Sequence, residues 1–285
     1  YNYWTLLLLF QEIMLKPNFI YGTAWKAEKT TSLVDLALKS GFRAVDTANQ
    51  AKHYSEALVG QAIKQNIAEG LIQRSDLWLQ SKFTSIDGQD HRLPYAKDAN
   101  LAEQVKQSFA SSLINLETKY LDSYLLHGPI NYPLLGEEDF QIWQAIEELY
   151  KEGKVKAIGV SNFNAKQLQM LIAQVKIKPH FLQNRCFAKV AWDKEIRLLC
   201  NKHDIAYQGF SLLTANIELF HLTEIQQIAK KHQLNMAQII FAFALQIGII
   251  PLTGTSKQIH MQDDLKSLSI KLSSEEIDYI ENCII

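Results

Sequence analysis

The sequence predicts a single α/β domain, a closed (β/α)8 barrel, and three observations carry that prediction. From residue 19 onward, short apolar runs alternate with amphipathic stretches, with no Pro/Gly-rich linker or break in composition. The 285 residues suit one such barrel, which takes about 250. Finally, Asp46, Lys82 and His127 each follow an apolar run (GFRAVD, DLWLQSK, LDSYLLH), and Tyr54 lies in the loop just after Asp46. If the runs are parallel strands, their C-terminal ends share one face, and all four side chains can converge there.

The elements follow in order. FIYGTA reads as strand one, with a helix from about Glu28 to Ser40 that puts Leu33, Leu36 and Ala37 on one face. FRAVD is strand two; the helix behind it opens at Ser55, whose hydroxyl is expected to cap it. LWLQS is strand three, followed by a helix over about Asn100 to Leu116. LDSYLLH is strand four, its helix running from Asp139 to Lys151 and stopping at Gly153. VKAIGVS is strand five, with AKQLQMLIAQVK as its helix. FLQN, IAYQGF and IIPLT supply strands six to eight, separated by DKEIRLLCNKH and by the pair LTEIQQIAKKH and MAQIIFAFALQ. A doubly wound open sheet is the competing arrangement. It is disfavoured because the twelve glycines never form GxG, so the dinucleotide fingerprint of that fold is missing.

Composition narrows the function. A net charge of −1 offers no basic field for nucleic acid. Cys186, Cys200 and Cys283 are odd in number and scattered, which suits thiols in a reducing, cytoplasmic setting rather than a disulfide framework. No His, Cys and Asp set has metal-ligand spacing, so no metal is expected. WTLLLLF near the N-terminus is far short of the ~20 residues of a membrane span. Residues 1–18 are expected to form an extension, packed under the barrel or loosely ordered, ahead of a domain over 19–285.

An acid, a phenol, an ammonium and an imidazole together can deliver a proton. A carbonyl that receives hydride develops alkoxide charge, and a proton must arrive as that charge forms. The phenol of Tyr54 has an ordinary pKa of about 10. A neighbouring Lys82 ammonium is expected to lower it, with Asp46 holding the ammonium charged and aimed. His127 is expected to hydrogen-bond the substrate oxygen.

These residues carry a resemblance. FRAVDTA, YSEALVG, the lysine of LQSKF, YLLHGP and GKVKAIGVSNF resemble, in order, the signatures of the aldo-keto reductase family, from about Phe19 to the end. The resemblance implies a (β/α)8 barrel that binds NADP(H) without a Rossmann domain and reduces aldehydes or ketones. It implies Tyr54 as acid, Lys82 and Asp46 as its tuning pair, and His127 orienting a small carbonyl substrate. It further implies Ser161, Asn162 and Gln183 at the nicotinamide carboxamide and Phe210 stacking on the ring. Ser211 and Leu213 would pass the pyrophosphate, and Thr253, Gly254, Thr255 and Ser256 would receive the adenosine phosphate. Gly128 would border the substrate pocket. Trp25, in GTAWK after strand one, reads from its position as a pocket wall or as packing at the barrel mouth.

Four departures from the family pattern bear on this. The loop DTANQAKHY is long, which makes His53 a competitor of Tyr54. Gly128 stands where many members carry Trp, which predicts a roomier pocket. The loop after strand seven, SLLTANIE, is short. Leu252 stands where the family often has a lysine that pairs the 2′-phosphate, so Lys257 or nearby hydroxyls would have to serve, and NAD(H) stays beside NADP(H) as the alternative cofactor. A catalytically weak nucleotide-binding regulatory barrel is the competing functional reading.

Overall fold

Eight strands run parallel and close in sequence order: β1 (Ile20–Gly22), β2 (Ala44–Asp46), β3 (Trp78–Phe83), β4 (Ser123–Leu126), β5 (Ile158–Ser161), β6 (Phe181–Arg185), β7 (Ala206–Phe210) and β8 (Ile249–Thr253), with β8 pairing back onto β1. The computed structural model describes residues 16–284; the segment WTLLLLF and most of the expected extension lie outside them. Helices α1 (Thr30–Ser40), α2 (Glu56–Ala68), α3 (Leu101–Asn115), α4 (Glu137–Lys151), α5 (Ala165–Gln174) and α6 (Lys194–Lys202) each follow one strand. The pair α7 (Thr223–His232) and α8 (Met236–Gln246) follows β7, and α9 (Gln258–Lys266) and α10 (Ser274–Asn282) follow β8.

Local chemistry fixes the helix ends. Asn100, Asn164, Asn235 and Ser273 each accept a hydrogen bond from the backbone N–H three residues on, satisfying an otherwise orphaned donor. Ser55 occupies the N-cap of α2 but makes no such bond, contrary to the expectation from sequence. Gly60 lets α2 lie directly on α3, since a Cβ there would sit 2.3 Å from the Asn115 carbonyl oxygen. One apolar core lies between barrel and helices and includes Val34, Phe109, Trp143 and Phe241. Burying a side chain of this size contributes about 1.5–3 kcal/mol.

Inside the barrel the layers differ. Alternation points every second residue inward. Ile20, Ala44 and Leu252, with Trp78, Phe210 and Ile250 packed against them, form a small interior apolar cluster. Above its floor lies a polar layer. Gln80, Gln183 and Gln208, which pair side by side or across the interior, exchange amide hydrogen bonds of 2.8–3.0 Å. Ser123 donates to Gln80 Oε1 at 2.7 Å. A buried amide without partners costs about 1–3 kcal/mol, so this layer holds only because its members satisfy one another. It forms a rigid platform for the charged groups at the strand ends.

Candidate active site

The platform ends in a buried ion pair. Lys82, fully buried on β3, donates to both carboxylate oxygens of Asp46 at 2.7 Å and to the Thr47 carbonyl at 2.9 Å. The same carboxylate accepts from Gln80 Nε2 at 2.7 Å and Gln183 Nε2 at 3.1 Å. A desolvated ammonium is expensive unless paired, and here every donor has an acceptor. Burial draws the Lys82 pKa down, while Asp46 and then Glu56 pull it back up. Glu56 is itself buried at the start of α2, where it accepts from the Ser81 hydroxyl, and burial raises its pKa.

Tyr54 and His127 complete the group. The Lys82 ammonium lies over the Tyr54 ring, 5.3 Å from its centroid, and the Tyr54 and His127 rings meet edge-on at 5.8 Å. The Tyr54 hydroxyl bonds to no protein group among the described residues, and Tyr54 and His127 both line the cavity above. Its pKa departs from the sequence expectation. Burial, and then the Asp46 carboxylate, push the phenol well above its ordinary value rather than below it. The physical reason is that burial withholds water from a phenolate, and the Asp46 carboxylate, which also pairs with Lys82, disfavours a second negative charge nearby. His127 is held by its Nδ1, 2.7 Å from the Thr84 hydroxyl. Its pKa is drawn well below 6.5 by burial, by Lys82 and by His53 in that order, which keeps the imidazole neutral.

His53 takes a different place. Its ring stacks on Trp25 at a centroid distance of 3.7 Å, and its carbonyl accepts from Trp25 N at 2.8 Å. Trp25 is 74% exposed and forms a flap at the rim of the cavity. Both His53 and Tyr54 direct their backbone N–H groups to the Gln50 carbonyl, so the lengthened loop closes as a tight turn that sends the two side chains to different depths.

The cavity has a volume of about 1070 Å³ and extends from Tyr54 and His127 across β5–β8 to the start of α9. That is room for a ligand at the upper end of common pocket sizes. Ser161, Asn162, Gln183, Phe210, Ser211, Leu213, Thr253, Gly254 and Thr255 line it; Ser256 and Gly128 do not. A Cβ at Gly128 would meet only the Asn162 Cβ and the Ser161 carbonyl oxygen, at 3.9 and 4.0 Å, so there is room for a side chain beside these two cavity residues. The amide nitrogen of Asn162 donates to the His127 carbonyl at 2.7 Å, and that of Gln183 is spent on Asp46 and Gln208. With their N–H groups anchored, both residues keep a side-chain oxygen that accepts nothing from the protein among the described residues. Such a donor-hungry pair suits a ligand carboxamide. Lys26, which donates to the Gly254 carbonyl, bridges the β1 and β8 loops.

The model of the aldo/keto reductase family matches residues 19–285. The chain belongs to the aldo/keto reductase family. A glyoxal reductase of Bacillus subtilis strain 168 is 32% identical to this aldo/keto reductase over 254 residues, 89% of this chain and 83% of the relative. An uncharacterized oxidoreductase of the same organism is 32% identical over 90% of this chain and 84% of its own. Among solved structures, an aldo/keto reductase from Brucella melitensis superposes with a TM-score of 0.80 at 29% identity, covering 94% of this chain and 95% of that one. Members of the family are oxidoreductases that generally reduce carbonyls with a nicotinamide cofactor.

Sequence reasoning missed Thr84, Gln80, Gln208 and Lys26. The glutamines had a readable signal. Gln80 precedes Lys82 by two, and Gln208 precedes Phe210 by two, so each shares the inward face of its strand with a residue already singled out.

Proposed function

We propose that this aldo/keto reductase reduces small aldehydes or ketones to alcohols with NADP(H), Tyr54 acting as the general acid. The observation that carries the reading is the Asp46–Lys82 pair, buried at the strand ends directly beneath Tyr54 and His127. A bound nicotinamide supplies the hydride. Ser161, Asn162 and Gln183 would hold its carboxamide, and Phe210 offers a flat face to the ring. His127, neutral and held at Nδ1 by Thr84, can present Nε2–H to the carbonyl oxygen; this tautomer follows if the Thr84 hydroxyl is the donor.

Tyr54 supplies the proton. Its raised pKa keeps the phenol protonated in the resting cavity and holds the proton until alkoxide charge develops on the substrate. As negative charge grows on the substrate oxygen, the Lys82 ammonium under the ring stabilises the phenolate that forms. Trp25 and His53, stacked at the rim, form the outer wall of the substrate pocket.

NADP(H) is favoured over NAD(H) by the Thr255 hydroxyl in the cavity and by Lys257 at the N-cap of α9, where helix N–H groups attract an anion. Titrating cofactor fluorescence with NADPH and NADH, and following NADPH absorbance with a panel of small aldehydes, tests the reading. Tight binding without turnover on any aldehyde would instead favour a regulatory barrel, and equal affinity for both nucleotides would remove the NADP(H) preference.

A further inference from the structure

Four of the five arginines are consumed by the fold. Arg43 donates to the Leu38 and Phe42 carbonyls, and Arg74 pairs with Asp122 at 2.9 Å. Arg92 pairs with Asp90, and Arg197 binds Glu281 at 2.8 Å together with the Trp192 and Ile247 carbonyls. The fifth, Arg185, donates to no protein group and pairs with no carboxylate among the described residues.

Its position is not incidental. Arg185 closes β6 two residues after Gln183, so it shares the inward face and stands one step higher, at the mouth. It lines the cavity beside Phe210, its register partner on β7. Its guanidinium lies 5.4 Å from the Phe187 ring centroid, and the Lys189 ammonium lies 5.2 Å from the same ring. Two cations therefore share one aromatic ring, and among the described residues no carboxylate pairs with either. That arrangement raises the local positive potential and awaits an anion. It also lies across the barrel from Asp46 and Lys82, on the arc where the loop of Ser211–Thr214 and the bridge of Lys26 border the cavity.

We infer that Arg185 is an oxyanion-binding residue of this cavity, taking either the diphosphate of the bound dinucleotide or a carboxylate on the carbonyl substrate. The inference rests on the nicotinamide reading above. A guanidinium presents a planar fork that matches either group in two parallel hydrogen bonds, which a lysine does not reproduce.

Three measurements on wild type, Arg185→Gln and Arg185→Lys test it, after thermal melts have shown that the variants fold. First, inorganic diphosphate should raise the melting temperature of wild type and not that of R185Q, a readout independent of turnover. Second, if the anion is the cofactor diphosphate, R185Q raises the NADPH dissociation constant about tenfold or more, flattens its salt dependence, and R185K restores only part of the loss. Third, if the anion is a substrate carboxylate, NADPH affinity holds while kcat/KM falls about tenfold for an aldehyde bearing a carboxylate and not for its neutral counterpart. A folded R185Q that matches wild type in diphosphate response, NADPH affinity and carboxylate preference overturns the inference. Absence of turnover by wild type on every aldehyde would overturn the reductase reading instead, while the diphosphate and NADPH titrations would still decide the role of Arg185.

Discussion

Replacing Asp46 by Asn probes the buried pair directly. In the folded protein Lys82 has no access to solvent, and its ammonium meets both Asp46 oxygens at 2.7 Å, with only the Thr47 carbonyl besides. The D46N side chain keeps the shape and one acceptor oxygen but removes the charge, leaving an ammonium uncompensated in the barrel. Breaking a buried pair in this way costs about 3–5 kcal/mol. For a chain of this length the unfolding entropy is about 0.6 kcal/mol/K, so the melting temperature should fall by roughly 5–8 °C. The cost should also depend on pH. Burial already lowers the Lys82 pKa, and Asp46 is the largest influence opposing that shift. Without it, the folded-state pKa drops further below the unfolded value of about 10.4. The unfolded chain then binds the extra proton over a wider range, and the stability of D46N rises with pH where that of wild type does not yet. Urea unfolding at 25 °C between pH 6 and 9 should show the deficit shrinking as pH rises. A deficit under 1 kcal/mol, constant across that range, would refute the claim that Asp46 holds the Lys82 charge.

Two further outcomes follow from the same geometry. Thr84→Val removes the hydroxyl 2.7 Å from His127 Nδ1; kcat/KM should fall about fivefold to twentyfold through loss of one orienting hydrogen bond, with a stability change of about 1 kcal/mol. An unchanged kcat/KM would show that Thr84 does not orient the imidazole. Asp264, buried in the cavity wall and accepting from the Thr253 hydroxyl at 2.8 Å, has its pKa raised by burial to about 6. Its folded value lies above its unfolded value, so the stability it contributes is present below pH 4 and is lost as pH rises through 6. D264N keeps the acceptor without the charge and should therefore gain on wild type by about 2–3 kcal/mol between pH 4 and 7. Parallel stability curves for the two proteins over that range would contradict the shift.

Much of this site was legible because a parallel barrel turns sequence order into geometry. Once GFRAVD and DLWLQSK read as strands, the shared face of their ends brings Asp46 and Lys82 together, and their pairing at 2.7 Å is the direct consequence. The eight strand positions were equally readable from apolar runs, since strands buried on both faces have few alternatives. The Tyr54 pKa was not legible. Whether burial and Asp46 or the Lys82 ammonium prevails at the phenol depends on packing at ångström scale, and spacing carries no such information. The Ser55 cap failed for a related reason, because a capping residue type does not guarantee the backbone angles that aim its hydroxyl. Arg185 was passed over because a charged residue at a strand end reads as solvated surface until the partners of every other arginine are known.

The central claim is that Tyr54 gives the proton. Its most direct test is steady-state NADPH oxidation with a small aldehyde by wild type, Tyr54→Phe and His53→Gln, with NADPH affinity measured alongside. Loss of a general acid costs about 10²–10⁴-fold. Y54F should therefore lose at least a hundredfold in kcat with NADPH affinity held within twofold, while H53Q keeps kcat within about tenfold and changes mainly KM. Retention of wild-type kcat by Y54F, or its loss in H53Q alone, would contradict the account and move the acid to the rim of the cavity.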